Sequence, residues 1–179
     1  MKKFLVAMGL AVLLSAALWL PSAAQSEDAV TASVTVQNVS VTISPSTVDY
    51  GTLSFEATQR SGTAASPFFT ATNNGNVDED FNVRGTDATF TGGSWTIQAA
   101  APTCPSQTNL FQHSVIGVTS GADDGEILMT DETSGTDLAT GLGANGTKDF
   151  NSKIYLPCSG SDGLGETAST TITIVATAS

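Results

Sequence analysis

After its first two dozen residues, the chain places apolar side chains at every second position and almost nowhere at helical spacing. Val30, Ala32, Val34 and Val36 share one parity; Val39, Val41 and Ile43 share the other. A two-residue period sends alternate side chains to opposite faces of a strand, so each run can bury one face and wet the other. The switch of parity at Gln37–Asn38 predicts a bulge, or a strand that crosses between sheets, because one residue of slip reverses every side chain. The period returns in "PFFTATN", with Phe69 and Ala71 aligned, and in "VDEDFNVRG", with Val77, Phe81 and Val83 aligned. It returns again at Trp95 and Ile97, at Phe150, Ile154 and Leu156, and at Ile172, Ile174 and Ala176. "STVDYGTLSF", "NLFQHSVIGV" and "EILMT" supply shorter candidate strands, while Ala57 to Ser66 is rich in Gly, Ser and Ala and reads as a loop. Many short strands without crossover helices predict an all-β fold, an antiparallel β-sandwich (immunoglobulin-like or jelly-roll) of roughly eight to ten strands.

The N-terminus predicts where such a fold would operate. Lys2 and Lys3 precede an apolar run from Phe4 to Leu20, and "PSAAQS" follows. That is the order of a signal peptide, residues 1–24, with cleavage before Gln25. The run falls short of the ~20 residues of a comfortable spanning helix. The expectation is a single domain over 25–179, secreted to an extracellular, cell-surface or periplasmic location and not membrane-spanning after cleavage. Within 25–179, Arg60, Arg84, Lys148 and Lys153 stand against all seventeen acids, four against seventeen for a net charge of −13. A surface this acidic repels phosphate backbones, which argues against nucleic-acid partners. The two cysteines, Cys104 and Cys158, each sit beside a proline in loop-like sequence. In an exported chain they predict one disulfide, and their spacing lacks the short intervals of a metal site.

Catalytic chemistry finds little material. The one histidine, His113, has no Cys or acid near it in sequence, and a surface or loop position is expected for it. No serine sits in a G-x-S-x-G elbow, and no S-x-x-K occurs. Trp95 has core parity rather than the exposure of a sugar platform. No enzyme is expected. Calcium is the better chemical candidate: Asp123, Asp124 and Glu126 surround Gly125 in "SGADDGEILMTDE", hard oxygens on a glycine-containing turn. Their spacing is not that of an EF-hand, and the same residues suit a solvated acidic turn. Two glycosylation sequons occur, at Asn38 and Asn145. In "NNGNVDED", Asp78 and Asp80 have solvent parity, but Glu79 shares the parity of Val77, Phe81 and Val83. An unpaired buried carboxylate is costly, so a bulge that releases Glu79 to water is expected.

The stretch "TISPSTVDYGTLSF…FFTATNNGNVDEDFNVRGTD" resembles secreted immunoglobulin-like domains of the hydin type, with their "V-D-F-G-T" strand followed by an "F-x-V-x-N-x-G-N" hairpin. "DLATGLGANGTKDFNSKIYLP…TTITIVATA" is similar to the closing half of bacterial and archaeal envelope proteins with this sandwich. Tyr50 stands where Phe is usual in those domains, and Glu79 where an apolar residue is usual. The resemblance implies an extracellular structural or adhesive module and carries over no catalytic residue.

Taken together, these features predict a secreted non-enzymatic structural or adhesive protein of the cell envelope or extracellular matrix. Its partners would be other copies of itself or envelope proteins. Glu27 to Val36, an alternating segment ahead of the parity switch, suits strand addition to a neighbour's sheet, which would make a filament or surface-layer subunit. The alternative is a monomeric carbohydrate- or calcium-binding module that recognises surface glycans.

Overall fold

Alternation becomes strand at eleven places among the described residues. They are β1 (Val41–Ser44), β2 (Thr58–Arg60), β3 (Phe69–Asn73), β4 (Glu79–Gly85), β5 (Ala88–Phe90) and β6 (Gly93–Ile97), then β7 (Leu110–Thr119), β8 (Ala122–Leu128), β9 (Asp137–Leu142), β10 (Thr147–Tyr155) and β11 (Ile172–Ala178). The computed structural model describes residues 31–132 and 136–179. The expected signal peptide, its expected cleavage site and Glu27–Val30 lie outside the described residues. The chain divides after Thr35, and all eleven strands belong to Val36–Ser179. No helix appears among the described residues, and none there is long and apolar enough to cross a membrane.

Two sheets form. The larger runs β1-β3-β10-β7-β6-β5, with β2 also on β10 and β8 also on β7, and it curls into a half-barrel. The smaller runs β11-β4-β9. Neighbours pair antiparallel except β6 and β7, which run parallel through Thr96↔Leu110 and Ile97↔Phe111. A parallel pair needs a long crossover, here residues 98–109. That crossover contains Cys104, bonded to Cys158 with the two Cα atoms 5.3 Å apart. The disulfide closes a loop long enough to stabilise the fold by up to ~4 kcal/mol through the unfolded chain.

One hydrophobic cluster draws on both sheets. Phe69 and Ala71 of β3, Phe111 and Val115 of β7, and Phe150 and Ile154 of β10 come from the larger sheet. Phe81 and Val83 of β4, Leu138 of β9 and Ile174 of β11 come from the smaller. Phe69 stacks on Phe150 with ring centroids 5.0 Å apart, and Trp95 is buried as its parity predicts. Each such large side chain contributes about 1.5–3 kcal/mol when fully buried.

Several expectations change. Thr31–Val36 carries no strand and is exposed throughout, Val34 to 89% and Val36 to 75%; alternation prepares a strand, but only a partner makes one. Residues 46–57 form no strand either, although Val48, Tyr50, Leu53 and Phe55 still pack against the core. Within the expected Ala57–Ser66 loop, Thr58–Arg60 pairs with Lys153–Tyr155 of β10. The acids of "ADDGEIL" lie on strand β8 rather than in a turn, because their backbone pairs with β7, and basic residues meet them from other strands.

Candidate functional site

An open groove of about 690 Å³ runs between β1 with the following loop and the segment 168–174 that enters β11. Val41, Ile43 and Val48 form one wall; Ala168, Ile172 and Ile174 form the other. Among the described residues, β1 pairs only with β3 and β11 only with β4. Each therefore presents a row of unpaired backbone N–H and C=O groups beside an apolar cleft. Such edges are templates for another strand.

Tyr50 and His113 also line this groove. The Tyr50 hydroxyl lies 3.2 Å from His113 Nε2 and 2.5 Å from Ser152 Oγ, and the two rings meet edge to face at 6.1 Å. His113 is only 2% exposed, not the surface or loop residue expected. It shares the inward parity of Phe111 and Val115 on β7, a signal already present in "FQHSV". Burial drives its pKa down to about 4, so the ring is neutral at pH 7. Burial likewise pushes Tyr50 up to about 12, against the opposing pull of its bond to Ser152. Among the described residues His113 Nδ1 has no hydrogen-bond partner, and no carboxylate there orients the ring as a general base requires. Ser152 is fully buried and meets Tyr50 rather than the imidazole.

The three calcium candidates lie on one strand but face separate cations. Arg60 donates two bonds to Asp123, at 2.6 and 2.8 Å. Lys148 bonds Asp124, and it also donates to Thr119 Oγ1 at 2.8 Å. Lys153 Nζ lies 3.3 Å from Glu126 Oε2, and the Tyr155 hydroxyl donates to Glu126 Oε1 at 2.9 Å. The Arg60 bond holds the Asp123 pKa below the ordinary carboxylate range, as the Lys148 bond does for Asp124. Burial pushes Glu126 up, but bonds from Ser114, Tyr155 and Lys153 together outweigh it and leave its pKa lowered. Among the described residues, no three His, Cys, Asp or Glu side chains gather as a metal site would need.

The turn "NNGN" is built against the run that leads into β1. The Asn74 N–H donates to the Ser40 carbonyl, and the Asn76 N–H donates to the Asn38 carbonyl. The Asn76 side chain accepts from the Asn38 N–H and donates to the Val36 carbonyl. Asn73 is fully buried; its amide donates to the carbonyls of Val77 and Leu142, and its oxygen accepts from the Gly75 N–H. Glu79 is 0% exposed, which overturns the expected release to water. The β4–β9 register does shift beside it, but Ala178 of β11 pairs with it on the other side and keeps the side chain inward. Both sequon asparagines are exposed, Asn145 in a left-handed turn at φ 63°. No family model, no curated protein and no solved structure matches this chain.

Proposed function

We propose that Val36–Ser179 is an immunoglobulin-like β-sandwich and that the protein is a secreted, non-enzymatic structural subunit. Copies join when the segment Glu27–Val36 of one adds a strand to the groove of the next. One observation carries this reading: an apolar groove lies between two unpaired strand edges, and the same chain holds an exposed segment of alternating valines. Val30, Ala32, Val34 and Val36 would face the groove, while Thr31, Ser33 and Thr35 would face water. The stretch Val30–Val36 matches the seven residues of β11, so one added strand can satisfy that edge along its length. Strand addition combines main-chain hydrogen bonds with side-chain pockets at alternate positions. Passing an edge to a further copy makes a head-to-tail contact, which gives open filaments unless it closes into a ring. The signal-like N-terminus, the acidic composition and the resemblance to envelope domains support an extracellular setting.

Light scattering and negative-stain microscopy test the proposal. Chains beginning at Gln25 are expected to form concentration-dependent polymers. Deletion of Glu27–Val36, or Val34→Glu with Val36→Glu, is expected to leave monomers that bind a synthetic Glu27–Val36 peptide. Polymers that survive the deletion would refute strand addition. A stable monomer with saturable binding on a glycan array would favour a binding module instead.

A further inference from the structure

The turn Asn73–Asn76 encloses a carboxylate that no basic residue of the described chain answers. Glu79 opens β4 and is fully buried. Its Oε1 accepts from the Ser40 N–H at 2.8 Å, while Oε2 is buried with no hydrogen-bond partner among the described residues. Arg60, Lys148 and Lys153 are engaged with the acids of β8. Arg84 is exposed on the opposite face of β4, five positions along. Buried charges are paired or bound to metals.

Further oxygens surround the same place. An ideal Cβ on Gly75 would lie 2.2 Å from Glu79 Oε1, 2.3 Å from the Asn38 carbonyl oxygen and 3.1 Å from Asn73 Oδ1. These three oxygens, from three segments of chain, all crowd the α-carbon of Gly75, where nothing larger than a hydrogen fits. The Asn38 oxygen is engaged by one donor, the Asn76 N–H, and Asn73 Oδ1 by one, the Gly75 N–H, so each keeps acceptor capacity. Carboxylate, amide and main-chain oxygens are the donor set of Ca²⁺, which takes them at about 2.3–2.6 Å in irregular geometry completed by water. Softer metals prefer sulfur or imidazole, and neither is part of this cluster.

We propose that Glu79, Asn73 Oδ1 and the Asn38 carbonyl seat one calcium ion. The site is distinct from Asp123, Asp124 and Glu126, and it does not depend on strand addition between copies. It would neutralise Glu79, satisfy Oε2 and tie the Asn73–Asn76 turn to the run entering β1. With a single carboxylate among neutral oxygens, the dissociation constant should fall in the ~0.1–1 mM range of extracellular calcium modules.

Equilibrium dialysis with ⁴⁵Ca²⁺ and thermal unfolding in calcium or EGTA test the site on the purified protein. The expected result is one ion per chain and a higher unfolding midpoint in calcium. Glu79→Gln should bind about tenfold more weakly or worse and unfold at the same temperature in both buffers. The double variant Asp123→Asn with Glu126→Gln should bind as the parent does. Mn²⁺ added to the unsubstituted protein should broaden the Ser40 and Gly75 amide resonances, which places the ion even if Glu79→Gln does not fold. No uptake by the parent at ~10 mM calcium, well above the range of such modules, overturns the proposal. So does undiminished binding by Glu79→Gln, or Mn²⁺ broadening centred on Asp123–Glu126.

Discussion

Two regions of this molecule keep carboxylates in opposite ways. On β8, Asp123, Asp124 and Glu126 lie at or near the surface, and each meets its own basic side chain. At the start of β4, Glu79 is sealed from water with one oxygen bonded to a backbone amide and the other bonded to none of the described residues. The outer acids look like the functional cluster, yet water already solvates much of their charge and their partners add little. The single inner acid looks like a lapse in a hydrophobic pattern. It is where charge is expensive and where a change of one atom is felt. Burial, rather than the number of acids, marks the site that the fold must answer for.

The largest test of this contrast is Gly75→Ala. The added methyl would press on Glu79 Oε1 and the Asn38 carbonyl at distances no Cβ tolerates. The carbonyl is backbone and cannot swing aside. Overpacking against such neighbours destabilises by about 3 kcal/mol, readable as a lowered urea midpoint. Gly121, with open space around its Cβ position, is the control for crowding, although its φ of 80° adds its own strain. A Gly75→Ala protein as stable as the parent would mean that the oxygens around Glu79 are not held where they appear.

Next in size is the other buried titratable group. The unfolded chain takes up a proton on His113 near the ordinary pKa of 6.5, whereas the folded chain resists until about pH 4. Stability should therefore fall as pH drops through that window, by up to about 3 kcal/mol, and this contribution should level off below it. Asp123, Asp124 and Glu126 have lowered pKa values, so their stabilisation is lost only at still lower pH. His113→Gln should flatten the curve between pH 6.5 and 4 and leave the acid limb unchanged. An unaltered curve in that variant would assign the slope to other groups.

How much of this was legible in the sequence depends on the range of the interaction. Phe69, Phe81, Trp95, Phe150 and Ile174 declare their burial through alternation, which is a local property. Glu79 and His113 carry the same parity signal, but residue type argues against burial, and only the packed structure shows that parity prevails. The Cys104–Cys158 pair was open to inference because only two cysteines exist. The parallel pairing of β6 with β7 was not, since nothing local distinguishes a parallel from an antiparallel neighbour. The β8 acids read as a turn because their partners, Arg60, Lys148 and Lys153, come from strands distant in sequence. Val34 and Val36 show the converse limit: their pattern is that of a strand, and no partner for it is found among the described residues.

The smallest effect belongs to the outer ladder, and it completes the contrast. Arg60→Ala removes a two-pronged bond to Asp123, the best-formed pair on that face. Asp123 is accessible, so it simply returns to water when its partner is lost. Nothing buried is left without a bond by its release, unlike the loss of a partner inside the core. The expected cost is below about 1 kcal/mol and should shrink further in molar salt, where exposed charges are screened within a few ångströms. Removal of the largely buried Arg60 stem also loses the packing of its methylenes, a loss that salt does not screen. Unfolding Arg60→Ala and Asp123→Ala, singly and together, at low and high salt separates the two contributions. A coupling energy well above 1 kcal/mol that persists in high salt would make the outer pair as consequential as the inner carboxylate and collapse the distinction between them.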